Sequence, residues 1–257
     1  MLVNVFASGS KGNITLIRIK DKNILIDVGV TYKYLCESLS YYQMKPSDIT
    51  HVLITHAHKD HISALDTFIK YNNPMIYITP DAKKEALILK DYDNISFEDK
   101  EFKIDDDITI RTFNTSHDAK GSRGYIISDG KKELVYVTDT GYINQKNLSL
   151  ITNKDMYIIE SNHNVEMLMH GKYPSWLKQR VLSDEGHLSN EQTAYYLTKL
   201  IGNKTKKIIL AHLSQENNTP EVALDTVLST LKNNKIKFND VVCAEQFGNL
   251  EVSLWLI

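Results

Sequence analysis

The sequence predicts an α/β domain of two sheets lying between helices, and three observations lead there. From Asn23 to Lys90, short apolar runs alternate with helical patterns, as strands joined by crossover helices do. From Ile95 to Val137 the pattern changes to short strands separated by Asp, Gly and Lys, which implies a second sheet. From Lys207 onward strand, helix and strand return. No linker or low-complexity run divides the chain, so residues 1–257 are expected to form a single domain.

Leu2 to Ala7 and Asn13 to Ile19 read as strands joined by Ser8-Gly9-Ser10-Lys11-Gly12, whose glycines permit positive φ. The spacing of this loop fits neither a Walker loop nor GxGxxG. Asn23 to Val28 is the third strand. Near its end, Asp27 either caps a turn or stands behind a metal ligand. The helical spacing of Tyr34, Leu35, Ser38 and Leu39 marks a helix over Thr31 to Tyr42, which Pro46 stops. Val52-Leu53-Ile54 is a short buried strand, followed by a helix through about Lys70. Met75 to Ile78 is another strand, and Pro80 opens a helix through Lys90.

The second sheet would hold Phe102 to Ile104, Ile108 to Phe113, Tyr125 to Ser128 and Leu134 to Val137, with Asp129-Gly130 as a hairpin turn, and Met156 to Ile159 reads as a further strand. Helices are expected at Tyr142 to Leu150, Pro174 to Leu182 and Ser189 to Leu200. The chain closes with Lys207 to Ala211, a helix over Pro220 to Leu231, then Asp240 to Val242 and Leu250 to Leu254.

With 42% hydrophobic and 24% charged residues, the chain has an ordinary globular composition. Its 30 basic and 32 acidic residues make no global electrostatic case for nucleic acid and do not exclude it. Cys36 and Cys243 lie outside any CxxC spacing, which argues against a disulfide framework or a cysteine metal site. The first residues are too short and polar for a signal peptide, and no apolar run approaches the roughly 20 residues of a membrane span. A cytoplasmic protein without membrane contact is expected, and a homo-oligomer is allowed.

The chemistry concentrates in Thr55-His56-Ala57-His58-Lys59-Asp60-His61. On an extended backbone His56 and His58 point the same way, and Asp60 and His61 follow where the chain turns into a helix. Imidazole and carboxylate suit Zn, Mn or Fe, yet these four residues cannot complete two coordination spheres. His117, Asp139 and His212 each follow a strand, where open sheets place their ligands, and each taken alone also reads as an ordinary polar strand terminus.

This ordered set resembles the metallo-β-lactamase superfamily over nearly the whole chain. The resemblance implies a four-layer αββα sandwich and two divalent metal ions, Zn or Mn. One ion would be held by His56, His58, His117 and Asp139, the other by Asp60, His61, His212 and the bridging Asp139. Asp27 matches that family's early strand-end aspartate. Ser8 to Asn13, Glu160 to Asn164, Gly186 to Glu191 and Leu213 to Asn218 together resemble the YycJ (VicX, WalJ) branch, which is associated with DNA exonuclease activity.

His187 also has a physical reading. Ser189 and Gln192 form a capping box, so His187 sits outside the positive end of a helix, where free N–H groups suit a phosphate. There it could protonate a leaving oxygen, with Glu160 orienting it, as in the similar phosphodiesterases that process tRNA 3′ ends. The alternative is an ordinary loop histidine. Lys172, Tyr173, Trp176, Lys178 and Arg180 mix cations and aromatics as a nucleic-acid track does, or form a solvated helix face around a buried Trp. Ser10, Asn13, Lys178 and Arg180 are the candidate substrate contacts. His163 is either a wall of the site or a structural hydrogen-bonder, and His51 and His170 read as structural or surface residues.

The expected function is therefore a dinuclear metal-dependent phosphodiesterase acting on nucleic acid, most simply a 5′-to-3′ DNA exonuclease. A hydroxide bridging the two ions would attack, Asp60 would orient or deprotonate it, and His187 would serve the leaving group. Three alternatives stand beside it: an RNA-directed nuclease, a small-molecule hydrolase of the lactamase or glyoxalase II kind, and a binding protein whose metal only stabilises the fold.

Overall fold

A computed structural model describes residues 1–97 and 100–254. In chain order its strands are β1 (Leu2–Ala7), β2 (Ile14–Ile19), β3 (Lys22–Ile26), β4 (His51–Leu53), β5 (Met75–Ile78), β6 (Ile95–Phe97), β7 (Glu101–Lys103), β8 (Thr109–Asn114), β9 (Arg123–Ser128), β10 (Glu133–Val137), β11 (Met156–Glu160), β12 (Lys207–Ala211), β13 (Val241–Cys243) and β14 (Leu250–Ser253). The helices are α1 (Tyr32–Ser40), α2 (Lys59–Ile62), α3 (Leu65–Tyr71), α4 (Pro80–Glu85), α5 (Gln145–Ile151), α6 (Val165–His170), α7 (Ser175–Leu182), α8 (Asn190–Leu200) and α9 (Pro220–Asn233). The chain divides into two compact units. The first comprises Met1–Phe102, Ala119–Arg123 and Glu245–Ile257, and the second Lys103–Asp118 and Gly124–Ala244.

The sheet of the first unit runs β14-β1-β2-β3-β4-β5-β6. Its first four strands are antiparallel, and β3 to β6 are parallel. Hairpins join β1 to β2 and β2 to β3, β14 returns from far along the chain to pair with β1, and each parallel step needs a crossover, which α1, α3 and α4 provide. Their apolar faces, through Leu35, Leu39, Leu65, Phe68 and Ala82, cover Leu16, Leu25, Val52 and Ile76. The parallel register brings Ile26 beside Leu53, so Asp27 and Thr55 leave the sheet at the same edge.

The second sheet runs β13-β12-β11-β10-β9-β8-β7. β9 and β10 form the expected hairpin, with Gly130 at φ 81°, and β10 to β13 are parallel. Val135, Val137, Tyr157, Ile159, Ile208 and Leu210 meet Ile151, Ala194, Leu197, Leu200, Ala223 and Val227 from α5, α8 and α9. Val137 pairs with Ile159, and Glu160 with Ala211. Asp139, Glu160 and His212 therefore emerge side by side from the carboxyl ends of three parallel strands.

Several boundaries differ from the sequence reading for local reasons. The helix expected through Lys70 is two helices, α2 and α3, separated by Ser63 and Ala64. The helix from Pro80 ends at Glu85, because Ala86 (ψ 71°) leaves helical geometry before a 3₁₀ turn at Leu87–Leu89. Residues 142–144 are not helical; α5 starts after Asn144, whose side chain accepts the Asn147 amide hydrogen. Helix α6 was not expected, although Asn164 caps it and Gly171 ends it.

Candidate metal centre

In the first unit, Asp27 organises the histidine motif. It is fully buried and accepts hydrogen bonds from the Thr55 amide (2.8 Å), the Thr55 hydroxyl (2.8 Å) and His61 Nδ1 (2.7 Å). Thr55 gives its own hydrogen to Asp27, so its oxygen accepts from His56 Nδ1 at 3.0 Å. One carboxylate thus sets both rings, His61 directly and His56 through Thr55. Burial pushes the Asp27 carboxyl up, with His61 and the Thr55 bonds opposing.

The loop that carries these candidate ligands lies against backbone. Asn13 N–H donates to Asp60 O (2.8 Å), Val28 N–H to His61 O (2.8 Å), and Gly29 N–H to Asn13 O (2.9 Å). A Cβ on Gly29 would lie 1.6 Å from Asp60 O, so only glycine fits. His56 and His61 have ring centroids 4.0 Å apart, and His56 and His58 4.7 Å. Asp60 Oδ2 is 3.6 Å from His61 Nε2.

In the second unit, Glu160 is the hub. Its Oε1 accepts from His187 Nδ1 (2.8 Å) and His212 Nδ1 (2.9 Å), and its Oε2 from the amides of Thr140 (3.0 Å) and Leu188 (3.2 Å). Burial opposes its ionisation, but the His187 charge and the bonds from both rings outweigh that and hold the carboxyl at about 2. His117 is oriented by Gly186 O, 3.2 Å from its Nδ1, and burial lowers its pKa against the pull of Asp139.

These bonds assign the tautomers. With Nδ1–H committed to a carbonyl or carboxylate, the Nε2 atoms of neutral His117 and His212 carry lone pairs. They lie 3.9 and 3.5 Å from Asp139 Oδ1. Acceptors gathered around acceptors are the donor set of a cation, and imidazole with carboxylate fits Zn or Mn. In the first unit the Nε2 lone pair of His61 lies 3.6 Å from Asp60 Oδ2 and accepts from the Asn13 side-chain amide. The donor atoms of Asp139, Glu160, His187 and His212 all lie within 4.8 Å of one another.

The backbone is strained at the same residues. Asp27, Asp139 and His212 have φ of 59°, 56° and 56°, in the left-handed region. A cost of roughly 1–3 kcal/mol for such a conformation is borne where surrounding bonds over-determine it.

The other sequence candidates fall out differently. Asn13 is buried, and its side chain is spent on Gly9, on Asp60 O and on His61 Nε2 (3.1 Å), so it braces the motif rather than facing solvent. Ser10 is exposed on its loop. Arg180 forms a bidentate pair with Asp118 (2.6 and 3.0 Å), next to His117, and Lys178 Nζ donates to Met169 O. Trp176 is 67% exposed, which removes the reading of α7 as a solvated face around a buried Trp. His163 is buried, and that burial lowers its pKa to about 4. The bracing by Thr55 and Gly29 was not anticipated from sequence. The only sequence signals for it were a threonine before the first histidine and a glycine two residues after Asp27.

Residues 22–213 match the beta-lactamase superfamily domain. The chain is 38% identical over 234 residues to an exodeoxyribonuclease WalJ of Streptococcus pneumoniae, covering 89% of this chain and 87% of that one. It is 34% identical over 233 residues to an exodeoxyribonuclease YycJ of Bacillus anthracis, covering 89% and 88%. Among solved structures, the metallo-beta-lactamase fold protein YhfI of Bacillus subtilis superposes with a TM-score of 0.70 at 17% identity, over 97% of this chain and 98% of that one. The fold class expected from sequence, an αββα metallo-β-lactamase sandwich, is the fold of that match.

Proposed function

Because the chain belongs to the metallo-β-lactamase superfamily, in the branch of the exodeoxyribonucleases YycJ and WalJ, we propose that this metal-dependent hydrolase is a 5′-to-3′ DNA exonuclease with one dinuclear centre. His56, His58, His117 and Asp139 would hold one divalent ion, and Asp60, His61, His212 and the shared Asp139 a second. Zn or Mn bound there would acidify water and neutralise phosphate charge. The chain passes repeatedly between its two units, which supports treating residues 1–257 as one domain. Among the described residues no helix is long and apolar enough to cross a membrane.

The observation that carries this reading is the His187–Glu160 pair. With Nδ1 bound to Glu160 at 2.8 Å, His187 has only Nε2 left to meet a substrate, and the ring is 12% exposed. Carrying both protons, it donates from Nε2 to a leaving oxygen while Glu160 holds the ring plane. The capping box of α8 keeps that helix start in place, with Ser189 accepting from the Gln192 amide and the Gln192 side chain accepting in return. A small-molecule hydrolase of the lactamase kind has no need of a histidine at the position of His187. Asp60, beside His61, would orient or deprotonate the attacking water. Exposed Trp176 offers a face for a base.

The test is a product ladder from end-labelled duplex and single-stranded DNA and RNA, with Mn or Zn. DNA shortened stepwise from its 5′ end is expected. His187→Ala should keep its metal and lose roughly 10²–10⁴-fold in turnover. Unchanged DNA turnover would remove the role of His187, and no cleavage of any polymer with either metal would remove the nuclease reading.

A further inference from the structure

A second recognition feature lies far along the second unit from its catalytic strand ends. Where α9 ends, the chain forms a recess of about 710 Å³ before entering β13. Its floor is apolar, made by Leu228, Ile236 and Phe238, each half-buried and seated on the core. Its rim is Lys232, Lys235 and Lys237, all exposed and without an ion-pair partner among the described residues. The neighbouring carboxylate, Asp240, is engaged by Lys207.

The helix end is closed in a way that fixes this rim. Lys235 N–H donates to Lys232 O (2.9 Å) and Ile236 N–H to Leu231 O (2.9 Å), with Lys235 at φ 58°. That is a Schellman closure, in which glycine is the ordinary occupant of the left-handed position. Here a lysine takes it, so a cation projects from the turn while Ile236 drops into the floor. β10 to β13 are parallel, so the loop into β13 lies at the edge opposite the carboxyl ends that carry Asp139, Glu160 and His212.

We propose that this recess docks an acidic peptide segment carrying one large apolar side chain, contributed by a partner protein. Charge complementarity selects the anion: three unpaired lysines surround one spot. The shape selects peptide over nucleic acid. A base stacks on an exposed aromatic face, whereas Phe238 is half-buried in the core. A compact apolar floor with a cationic rim instead fits an anchor side chain flanked by carboxylates. Because the recess is at the opposite strand edge, its occupant leaves the catalytic strand ends open, and docking brings the partner to the enzyme without blocking hydrolysis.

Fluorescence anisotropy of the full chain with a labelled peptide, Asp-Asp-Glu-Phe-Asp-Asp, tests this. Saturable binding is expected, weakened tenfold or more in the double variant Lys235→Glu/Lys237→Glu. It should weaken similarly when the peptide Phe is replaced by Ser. Nuclease turnover on a short oligonucleotide and the melting temperature should stay at wild-type values in the double variant, since both lysines are exposed. The proposal is overturned by absence of saturable binding up to about 1 mM, by affinity unaffected by the charge reversal, by equal affinity for the Ser peptide, or by an oligonucleotide that displaces the peptide with the same lysine dependence.

Discussion

Glu160→Gln asks whether one buried carboxylate holds the second ligand set together. In the wild type, two ring N–H groups share Oε1, and two backbone amides share Oε2. Glutamine keeps the shape but offers one oxygen to four donors. If its NH₂ turns toward Thr140 and Leu188, two buried amides face a donor. If it turns toward the rings, His187 and His212 must accept at Nδ1 and carry hydrogen at Nε2, which removes the lone pair His212 would give a metal. Each buried donor left unsatisfied costs roughly 1–3 kcal/mol, so two cost roughly 2–6 kcal/mol, a large share of the stability margin of a domain.

The assay is threefold on one preparation: melting temperature, metal content by mass spectrometry and DNA turnover. A lower melting temperature, sub-stoichiometric metal and a greater loss of turnover than in His187→Ala are expected. A pH series sharpens the test. The Glu160 carboxyl lies at about 2 against an ordinary 4.5, so its stabilisation is complete above about 4.5 and is lost as pH falls toward 2. Glutamine has nothing to protonate, so the gap in melting temperature between the two proteins should narrow across that window. A glutamine variant with wild-type metal content, stability and turnover at neutral pH would refute the assignment of Glu160 as the hub.

Gly29→Ala puts a methyl 1.6 Å from Asp60 O, and carbon prefers more than 3 Å, so the Asp60–His61 backbone must move by about 2 Å. Metal content should fall while circular dichroism stays near wild type; full metal occupancy in this variant would contradict the close approach. Asp27→Asn leaves one oxygen for three donors and should weaken metal affinity roughly 10–100-fold, read by titration with a chelator. Trp176→Ala should raise KM for single-stranded DNA roughly tenfold, with kcat and metal content unchanged, since stacking is worth about 1–3 kcal/mol per base. A change in kcat alone would move Trp176 out of substrate binding.

Much of the fold was legible because its signals are local. Alternating apolar runs and helical spacing located most of the elements, and the Ser189–Gln192 capping box marked the start of α8 correctly. The break at Ala86 and the short helix Val165–His170 escaped, since a few residues carry too little periodicity to outweigh their neighbours. Within each unit the candidate residues lie at strand ends: Asp139 and His212 follow β10 and β12, on either side of β11, and His56 and His61 share one loop.

What the sequence by itself determined is the set of candidate ligands and the reaction class such residues suit, because residue type and strand position are written in the chain. What only the tertiary structure decided is how those residues are held. Glu160 could be read as the partner of His187, but its bonds to His212, Thr140 and Leu188 join residues far apart in sequence. The contact of Gly29 with Asp60, the commitment of Arg180 to Asp118 and the exposure of Trp176 are of the same kind. Such distances follow from register and packing across the whole unit, which no local pattern encodes.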